Sequence, residues 1–119
     1  VICTSSMLYP ALEAAETLAK GGIEVMVIDP RTLSPLDTDT LIQAAKETGH
    51  VLIVDEGCRS FGVTAEIAAR IQEEAFDYLD EPVRRLGALD LPVPFAPSLE
   101  DLTIPNAGQI VEIVKEMLA

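Results

Sequence analysis

Apolar residues along the chain follow two spacings, one typical of buried strands and one typical of amphipathic helices. Residues 1–4 and 51–54 form apolar runs too short for helices, and the second run is apolar at every position, as in a strand covered on both faces. Between residues 8 and 19 apolar side chains recur at helical spacing, and Gly21-Gly22 is a typical helix stop. The pattern predicts alternating strands and helices.

The rest of the chain continues this alternation. We predict a second strand at residues 24–28, a second helix ending before Gly49, a third helix after the loop of residues 57–62, and a weaker strand at residues 83–86. Strands separated by helices imply parallel pairing through right-handed crossovers, with helices on both sheet faces. The predicted fold class is therefore α/β, a three-layer α/β/α sandwich with a mostly parallel sheet.

The stretch from residue 88 to residue 105 differs from what precedes it because it contains four prolines. Proline removes a backbone donor, so we expect neither a regular helix nor a central strand there, but an extended arm on the domain surface. A last helix is predicted to begin near Asn106, a favourable N-cap residue, with Gln109 placed to complete a capping box.

Composition and charge limit the kinds of ligand. The 119 residues have room for one domain, predicted to span residues 1–119, and the 20 acidic residues against 8 basic ones give a net charge of −12. Nucleic acid and anionic membrane surfaces are disfavoured, because both require a basic footprint. The charge favours a basic protein partner, or serves solubility alone.

Cysteine content and hydropathy indicate a compartment. Cys3 and Cys58 do not make a disulfide framework, and reduced thiols fit a bacterial cytoplasm or a mitochondrial matrix. No apolar run reaches the roughly 18 residues of a membrane span, and no signal peptide is recognisable, so a secreted protein is not expected. Because the first residues read as the middle of a strand, we expect a fragment of a longer protein.

The loop between Gly57 and Gly62 is one candidate for chemistry. It lacks the Gly-Lys-Ser/Thr ending of a phosphate-binding loop, although the start of the following helix could bind an anion. Cys58 lies in this loop beside a cation, which favours a thiolate. The only histidine, His50, precedes the strand that the loop follows, so a Cys–His pair is not expected and Cys58 is more simply an inert thiol.

Carboxylates are the other candidate. Asp55 and Glu56 are adjacent, so in a strand they point to opposite faces and do not form an acid–base pair. No grouping of His, Cys, Asp and Glu has the spacing of metal ligands. Five acidic residues crowd a short stretch at a predicted helix end: Glu73, Glu74, Asp77, Asp80 and Glu81. The helix dipole disfavours negative charge there, so this stretch is either a solvated helix end or a surface kept acidic for a partner.

Several ordered segments together resemble a known family. They are the run Ile-Asp-Pro-Arg-Thr-Leu-Ser-Pro-Leu-Asp at residues 28–37, Ala-Glu-Ile-Ala-Ala-Arg-Ile at 65–71, and Asp-Leu-Pro-Val-Pro-Phe-Ala at 90–96, with shorter matches at 11–15, 56–57, 61–62, 76–80 with Pro82, and 104–105. With them the chain resembles the C-terminal domain of the transketolase family, most closely that of the beta subunits of pyruvate dehydrogenase-type decarboxylases. The resemblance covers essentially all 119 residues.

The resemblance implies a catalytic function for the whole enzyme and a non-catalytic function for this domain. In such enzymes an alpha and a beta subunit bind thiamine diphosphate and Mg²⁺, decarboxylate a 2-oxo acid and pass the acyl group to a lipoyl arm. The cofactor-activating glutamate and the substrate-side histidine belong to a preceding domain, so no catalytic, cofactor-binding or metal-binding residue is expected here. The family domain usually opens with one more edge strand upstream.

What the resemblance assigns to this domain is contact with other subunits. It helps its own beta subunit to assemble with the alpha subunit and with a second beta subunit. It also presents an acidic surface to the basic subunit-binding domain of the acyltransferase. By position, Asp80 matches the acidic residue that contacts this partner, and the C-terminal carboxylate of Ala119 matches the second contact. The substrate stays open, since acetoin and branched-chain relatives share the pattern.

A second interpretation keeps the fold and changes the function. It is a free-standing α/β protein that binds a small ligand or uses a thiol through the loop between Gly57 and Gly62. The interpretations differ in whether a further domain with the cofactor glutamate lies upstream.

Overall fold

The computed structural model describes all residues, 1–119, and has a parallel sheet at its centre. Its strands are β1 (Ile2–Cys3), β2 (Leu52–Cys58) and β3 (Arg84–Ala88), in the order β1-β2-β3, and both pairings are parallel. Ile2 of β1 pairs with β2 on one side and forms a parallel bridge with Ile28 on the other. Residues 24–28, the edge segment, therefore lie outside β1.

Five helices cover the sheet: α1 (Leu8–Lys20), α2 (Thr38–Thr48), α3 (Val63–Ala75), α4 (Pro97–Thr103) and α5 (Ala107–Met117). Two single turns of 3₁₀ helix, Ser5–Met7 and Phe76–Tyr78, precede α1 and extend α3. No helix has the length and apolar content that a membrane crossing requires.

The alternation of side chains along β2 builds a separate core on each sheet face. Leu52 and Val54 pack with α1 and α5, whereas Val51 and Ile53 pack with α2 and α3. The core under α1 and α5 contains Cys3, Met7, Ala11, Ala14, Leu18, Leu52, Val54, Ile110, Val114 and Met117. The core under α2 and α3 contains Ile2, Leu41, Ile42, Ala45, Val51, Ile53, Ile67, Ile71 and Ala75. The predicted three layers and parallel sheet are confirmed.

The predicted strand at residues 24–28 is wrong as a continuous strand. Only Ile28 forms a bridge, with Cys3 N donating to Ile28 O and Ile28 N donating to Val1 O, each at 2.9 Å. The reason is the length of its neighbour: β1 has only two residues, so few backbone groups face residues 24–28, and Met26 is 44% exposed. Hydrophobic pattern predicts an extended segment, but a ladder of hydrogen bonds requires partners.

Three other predictions differ from the structure, the simplest being β3, which spans Arg84–Ala88 instead of residues 83–86. A helix was not expected between residues 88 and 105, yet α4 occupies Pro97–Thr103. Pro97 lies in the first turn, where its missing N–H has no intrahelical acceptor to lose, so this proline starts a helix instead of breaking one. β2 also continues beyond residue 54 to Cys58, so Cys58 ends a strand and is not a loop residue.

The predicted cap of α5 is confirmed. Gln109 N donates to Asn106 Oδ1 at 2.9 Å, and Asn106 N donates to Gln109 Oε1 at 3.0 Å, which satisfies two backbone donors at the helix start. The cap fixes the first turn of a helix whose Ile110 and Val114 enter the core.

Replacing the cap residue is expected to destabilise the domain measurably. Asn106→Ala leaves the Gln109 N–H without its acceptor and should lower the free energy of unfolding by about 1 kcal/mol, whereas Asn106→Asp keeps an acceptor and should stay near the original value. Urea denaturation followed by circular dichroism measures both. Equal values for Asn106→Ala and the unchanged chain would show that the cap contributes nothing.

Candidate functional site at the amino edge of the sheet

Asp80 lies at the edge of the sheet where the strands begin, after the 3₁₀ turn that extends α3. Its backbone is fixed, because Asp80 N donates to Gly49 O at 2.8 Å and Leu79 N donates to Phe76 O at 3.2 Å. Its side chain is 69% exposed. The fold thus holds the main chain of Asp80 in place and leaves its carboxylate in water.

Gly49 is the residue that makes room for this carboxylate. It ends α2 in the left-handed region, at φ +70°, and Gly49 N donates to Ala45 O at 2.9 Å, as the sequence predicted for the residue after this helix. A Cβ at position 49 would overlap the Asp80 carboxylate. A side chain there would therefore strain the backbone and displace Asp80 together.

The neighbours of Asp80 leave most of its charge available. His50 Nδ1 lies 3.7 Å from Asp80 Oδ2 and 3.2 Å from Thr48 O. The ammonium of Lys46 lies over the ring of Tyr78 instead, 4.9 Å from its centroid. No lysine or arginine forms an ion pair with Asp80.

Arg84 connects this region to the end of α5. Its Nη2 lies 3.4 Å from Glu81 Oε2, its Nη1 lies 3.2 Å from Glu116 Oε2, and its backbone N donates to Val51 O at 2.9 Å. Ala119 N donates to Glu116 O at 3.3 Å. The end of α5 thus lies at the same edge of the sheet as Asp80. The structure places the two predicted partner-binding residues, Asp80 and Ala119, on one edge, both exposed.

The rest of the acidic stretch is only partly neutralised. Glu81 is paired with Arg84 and half-buried, whereas Glu73, Glu74 and Asp77 are exposed and form no ion pair. Phe76 and Tyr78, 65% and 54% exposed, lie among these carboxylates. We call residues 73–80 the acidic face; it combines free carboxylates with aromatic surface, which a solvated helix end does not require.

The opposite edge of the sheet holds the predicted loop candidate. Cys58 is exposed, and its Sγ lies 3.7 Å from Leu89 O. His50 precedes β2 and Cys58 ends it, which separates them by about 25 Å at the usual rise of a strand. The two residues thus lie at opposite ends of β2. The other cysteine, Cys3, is buried in the core, and burial raises its pKa to about 11.

The sequence analysis did not predict the hydrogen bonds between polar residues at this second edge of the sheet. Thr4 Oγ1 donates to Asp55 Oδ1, and Ser6 Oγ donates to Glu56 Oε2 at 2.6 Å. Hydrogen bonds from Ser6 and Ser5 hold the pKa of Glu56 below its ordinary value. The signal was present, since hydroxyl residues follow β1 and carboxylates lie towards the end of β2, its parallel neighbour. Each carboxylate accepts a hydrogen bond from a separate hydroxyl.

Two similar hydrogen bonds join the arm, residues 88–105, to the loop after β2. Ser60 N donates to Asp90 Oδ1 at 3.2 Å and Ser60 Oγ donates to Asp90 Oδ2 at 2.5 Å, and these bonds hold the pKa of Asp90 below its ordinary value. No group of three or more His, Cys, Asp or Glu side chains converges as metal ligands would. The site geometry is that of a surface with fixed exposed charge.

Comparison with known proteins gives the family. The family described as "Transketolase, C-terminal domain" matches residues 1–110. The chain is 43% identical over 117 residues to "Pyruvate dehydrogenase E1 component subunit beta" of Rickettsia felis, covering 98% of this chain and 36% of that protein. It is 47% identical over 111 residues to the mitochondrial "Pyruvate dehydrogenase E1 component subunit beta" of Saccharomyces cerevisiae, covering 92% of this chain and 30% of that protein.

Two further relatives extend the comparison. "Acetoin:2,6-dichlorophenolindophenol oxidoreductase subunit beta" of Cupriavidus necator is 40% identical over 118 residues, covering 99% of this chain and 35% of that protein. A solved structure described as "Split gene transketolase, inactive beta4 tetramer" superposes with a TM-score of 0.82 at 29% identity, covering 98% of this chain and 37% of that one. The chain thus spans about a third of the length of the proteins it matches. By sequence and by fold, it belongs to the transketolase C-terminal domain family.

Proposed function

We propose that this domain is the non-catalytic assembly and docking part of the beta subunit of a thiamine diphosphate-dependent 2-oxo acid dehydrogenase, with pyruvate as the candidate substrate, or of a related enzyme that oxidises acetoin, which is not an oxo acid. The relatives with these printed names support the assignment, because the match covers nearly the whole chain. The observation that supports the docking role best is the state of the Asp80 carboxylate. It is exposed, lies against Gly49 and forms no ion pair with lysine or arginine. The whole enzyme would decarboxylate the oxo acid and transfer the acyl group to a lipoyl group.

The proposal divides the enzyme into a catalytic part and this domain. The chain spans about a third of its relatives, which leaves room upstream for a domain that carries the cofactor, so we propose that residues 1–119 are part of a longer subunit. An upstream strand could cover the edge segment, whose outer side has no partner. We place such a subunit in a bacterial cytoplasm or a mitochondrial matrix, as the name of the yeast relative suggests.

The residues present do not fit a magnesium–diphosphate site, because no set of metal ligands converges in this chain. We therefore expect the 119-residue domain to bind neither thiamine diphosphate nor Mg²⁺ and to have no decarboxylase activity. Isothermal titration calorimetry with both compounds tests this expectation. Saturable binding with a dissociation constant near the micromolar range would show that the domain carries part of the cofactor site.

The docking argument rests on charge and on exposure. A basic partner would meet the free carboxylates of the acidic face and, on the same edge, the C-terminal carboxylate of Ala119. The exposed rings of Phe76 and Tyr78 would add apolar contact and stack on arginine side chains. We propose that the partner is the basic subunit-binding domain of the acyltransferase.

Removing the charge of Asp80 tests this docking role. Asp80→Asn in the assembled decarboxylase should weaken acyltransferase binding more than tenfold, because loss of one member of a desolvated interfacial charge pair costs roughly 2–5 kcal/mol. The melting temperature should barely change, since exposed substitutions alter stability by about 0.5 kcal/mol. Surface plasmon resonance at several salt concentrations measures the affinity, which should also fall as salt rises.

A matched variant separates this contact from net charge. Glu16→Gln removes the same charge from an exposed residue on α1, which packs on the opposite face of the sheet from α3 and the acidic face. It should leave the affinity nearly unchanged. If both variants behave like the unchanged protein, the acidic face is solvated surface without a partner, and the docking role is wrong.

The arm offers a second surface, suited to subunit assembly. Residues 88–105 expose apolar side chains: Leu89, Leu91, Val93, Phe95, Leu99 and Leu102. Phe61, fully exposed and at φ +57°, adds a ring from the loop that Ser60 and Asp90 tie to this arm. Exposed apolar patches of this kind mark interfaces. We propose that the alpha subunit and a second beta subunit cover this surface in the complete enzyme.

Phe95 is the most exposed large apolar residue of the arm and the best test of this role. Phe95→Ser should weaken subunit assembly by about 30-fold or more, as expected for a buried aromatic interface residue. Phe76→Ser, a matched change on the acidic face, should leave assembly intact. Mass photometry of the complete enzyme at decreasing concentration measures assembly. Equal dissociation of both variants and the unchanged enzyme would remove the arm from the interface.

A further inference from the structure

Arg59 and Arg85 place two positive charges side by side near the carboxyl edge of the sheet, and we call them the arginine pair. Arg59 follows β2, and Arg85 lies on the neighbouring strand β3. Arg59 Nε donates to Arg85 O at 3.3 Å, and Arg85 Nη1 donates to Arg59 O at 2.8 Å. Both acceptors are neutral backbone carbonyls, so these bonds orient the guanidinium groups without neutralising them.

Neither member of the arginine pair forms an ion pair within the chain. The other three arginines do, Arg31 with Asp29, Arg70 with Glu66, and Arg84 with Glu81 and Glu116. Acidic side chains are plentiful, since the chain has 20 of them against 8 basic ones. Two like charges held close together repel each other. The arginine pair is therefore a positive spot without a carboxylate partner in a chain of net charge −12.

The carboxylates nearest to the arginine pair are bonded to other groups. Asp55 and Glu56 accept hydrogen bonds from hydroxyls of the loop after β1. Asp90 accepts from Ser60 N and Ser60 Oγ, and these bonds are the main reason why its pKa lies below the ordinary value, while the charges of the arginine pair contribute less. Asp90 thus lies within electrostatic reach of both guanidinium groups, but one negative charge does not balance two positive ones.

The loop that carries Arg59 is fixed by its backbone. Arg59 N donates to Ala88 O at 3.3 Å, and β3 passes so close that a Cβ on Gly87 would lie 2.9 Å from Arg59 Cα. Phe61 follows at φ +57°, a region that residues other than glycine rarely adopt, and its ring is fully exposed. Strained backbone of this kind is found where the surroundings hold it, often at binding sites. The loop presents a charge and a ring in fixed positions, which lowers the entropy lost on binding.

We propose that the arginine pair binds carboxylates of a neighbouring subunit, and that Phe61 packs against apolar side chains beside them. The inference rests on the proposed assembly role of the arm and gives the chemistry of the surface that covers it, which is apolar with acidic side chains. The two bonds between Ser60 and Asp90 join this loop to the arm, so both belong to one continuous surface. Arginine suits this contact, because its planar group binds a carboxylate through two parallel hydrogen bonds.

Removing the charges tests the proposal in the complete enzyme. Arg59→Gln and Arg85→Gln, separately and together, should each weaken subunit assembly about tenfold or more, because a partner carboxylate is left unpaired in the interface. Lys20→Gln is the matched control. It removes an exposed positive charge, also without an ion pair, from the end of α1 and should leave assembly unchanged. Mass photometry at decreasing enzyme concentration measures assembly, and thermal melting shows that each variant is folded.

Salt separates a contact with a partner from a structural role of the same two residues. If the arginine pair binds carboxylates, the unchanged enzyme dissociates more readily as salt rises, and the double variant loses most of this dependence. If the guanidinium groups only brace the loop, the double variant is weaker at every salt concentration by the same factor. Arg59→Lys keeps the charge and should keep the salt dependence, although it loses the paired hydrogen bonds.

Phe95→Ser separates this inference from the assembly role on which it rests. The inference is supported if Phe95→Ser and the double variant both weaken assembly and the double variant loses the salt dependence. If Phe95→Ser weakens assembly but the double variant does not, or keeps the salt dependence, the arm lies in an interface and the role of the arginine pair is wrong. If Phe95→Ser leaves assembly intact, the assembly role is wrong and the inference falls with it.

A small anion is the other ligand that two guanidinium groups suit. Calorimetry with inorganic phosphate detects it. Phosphate binding that the double variant abolishes, with assembly unchanged, would overturn the proposal and make the arginine pair an anion site.

Discussion

Burial of β2 on both faces is the constraint on which the rest of the structure depends. Residues 51–54 have relative exposures of 5% or less, and their alternating side chains belong to two different cores. A strand apolar on both faces must be covered on both, and here the helices that join the parallel strands provide this cover. Burying four such side chains contributes on the order of 6–12 kcal/mol before the entropy of ordering them is subtracted.

The same strand determines which edge of the sheet is free to bind. Beyond Val54, β2 runs into polar residues whose carboxylates are taken by hydroxyls from the loop after β1. Before Leu52, the chain turns sharply at Gly49, and that turn supports the exposed Asp80. One strand therefore has internally satisfied polar groups at its carboxyl end and a free charge near its amino end.

Sequence pattern predicts the elements that depend on local residues and on burial. The cap at Asn106, the helix end at Gly49 and the doubly buried run at 51–54 are confirmed, because each follows from the residues themselves. The edge segment, predicted as a strand, and α4, predicted as extended chain, differ from the prediction for another reason. Whether residues 24–28 form a ladder depends on a neighbour that local sequence does not specify, and Pro97 permits a helix start as readily as it prevents a helix interior.

In the candidate site, too, the sequence predicts what depends on local residues and does not predict contacts between distant ones. The pattern located the acidic stretch, and the resemblance selected Asp80 within it, but neither indicated that His50 would stand beside Asp80.

That contact joins residues 30 positions apart through one backbone hydrogen bond, from Asp80 N to Gly49 O. It exists because α2 and α3 pack on the same face of the sheet and both end at its amino edge. The closeness of His50 and Asp80 therefore depends on how α2 and α3 pack against each other, and the sequence at either helix end does not predict it. The charge that a partner meets at this edge is thus set by two helices that share a core, and a change in either helix end alters it.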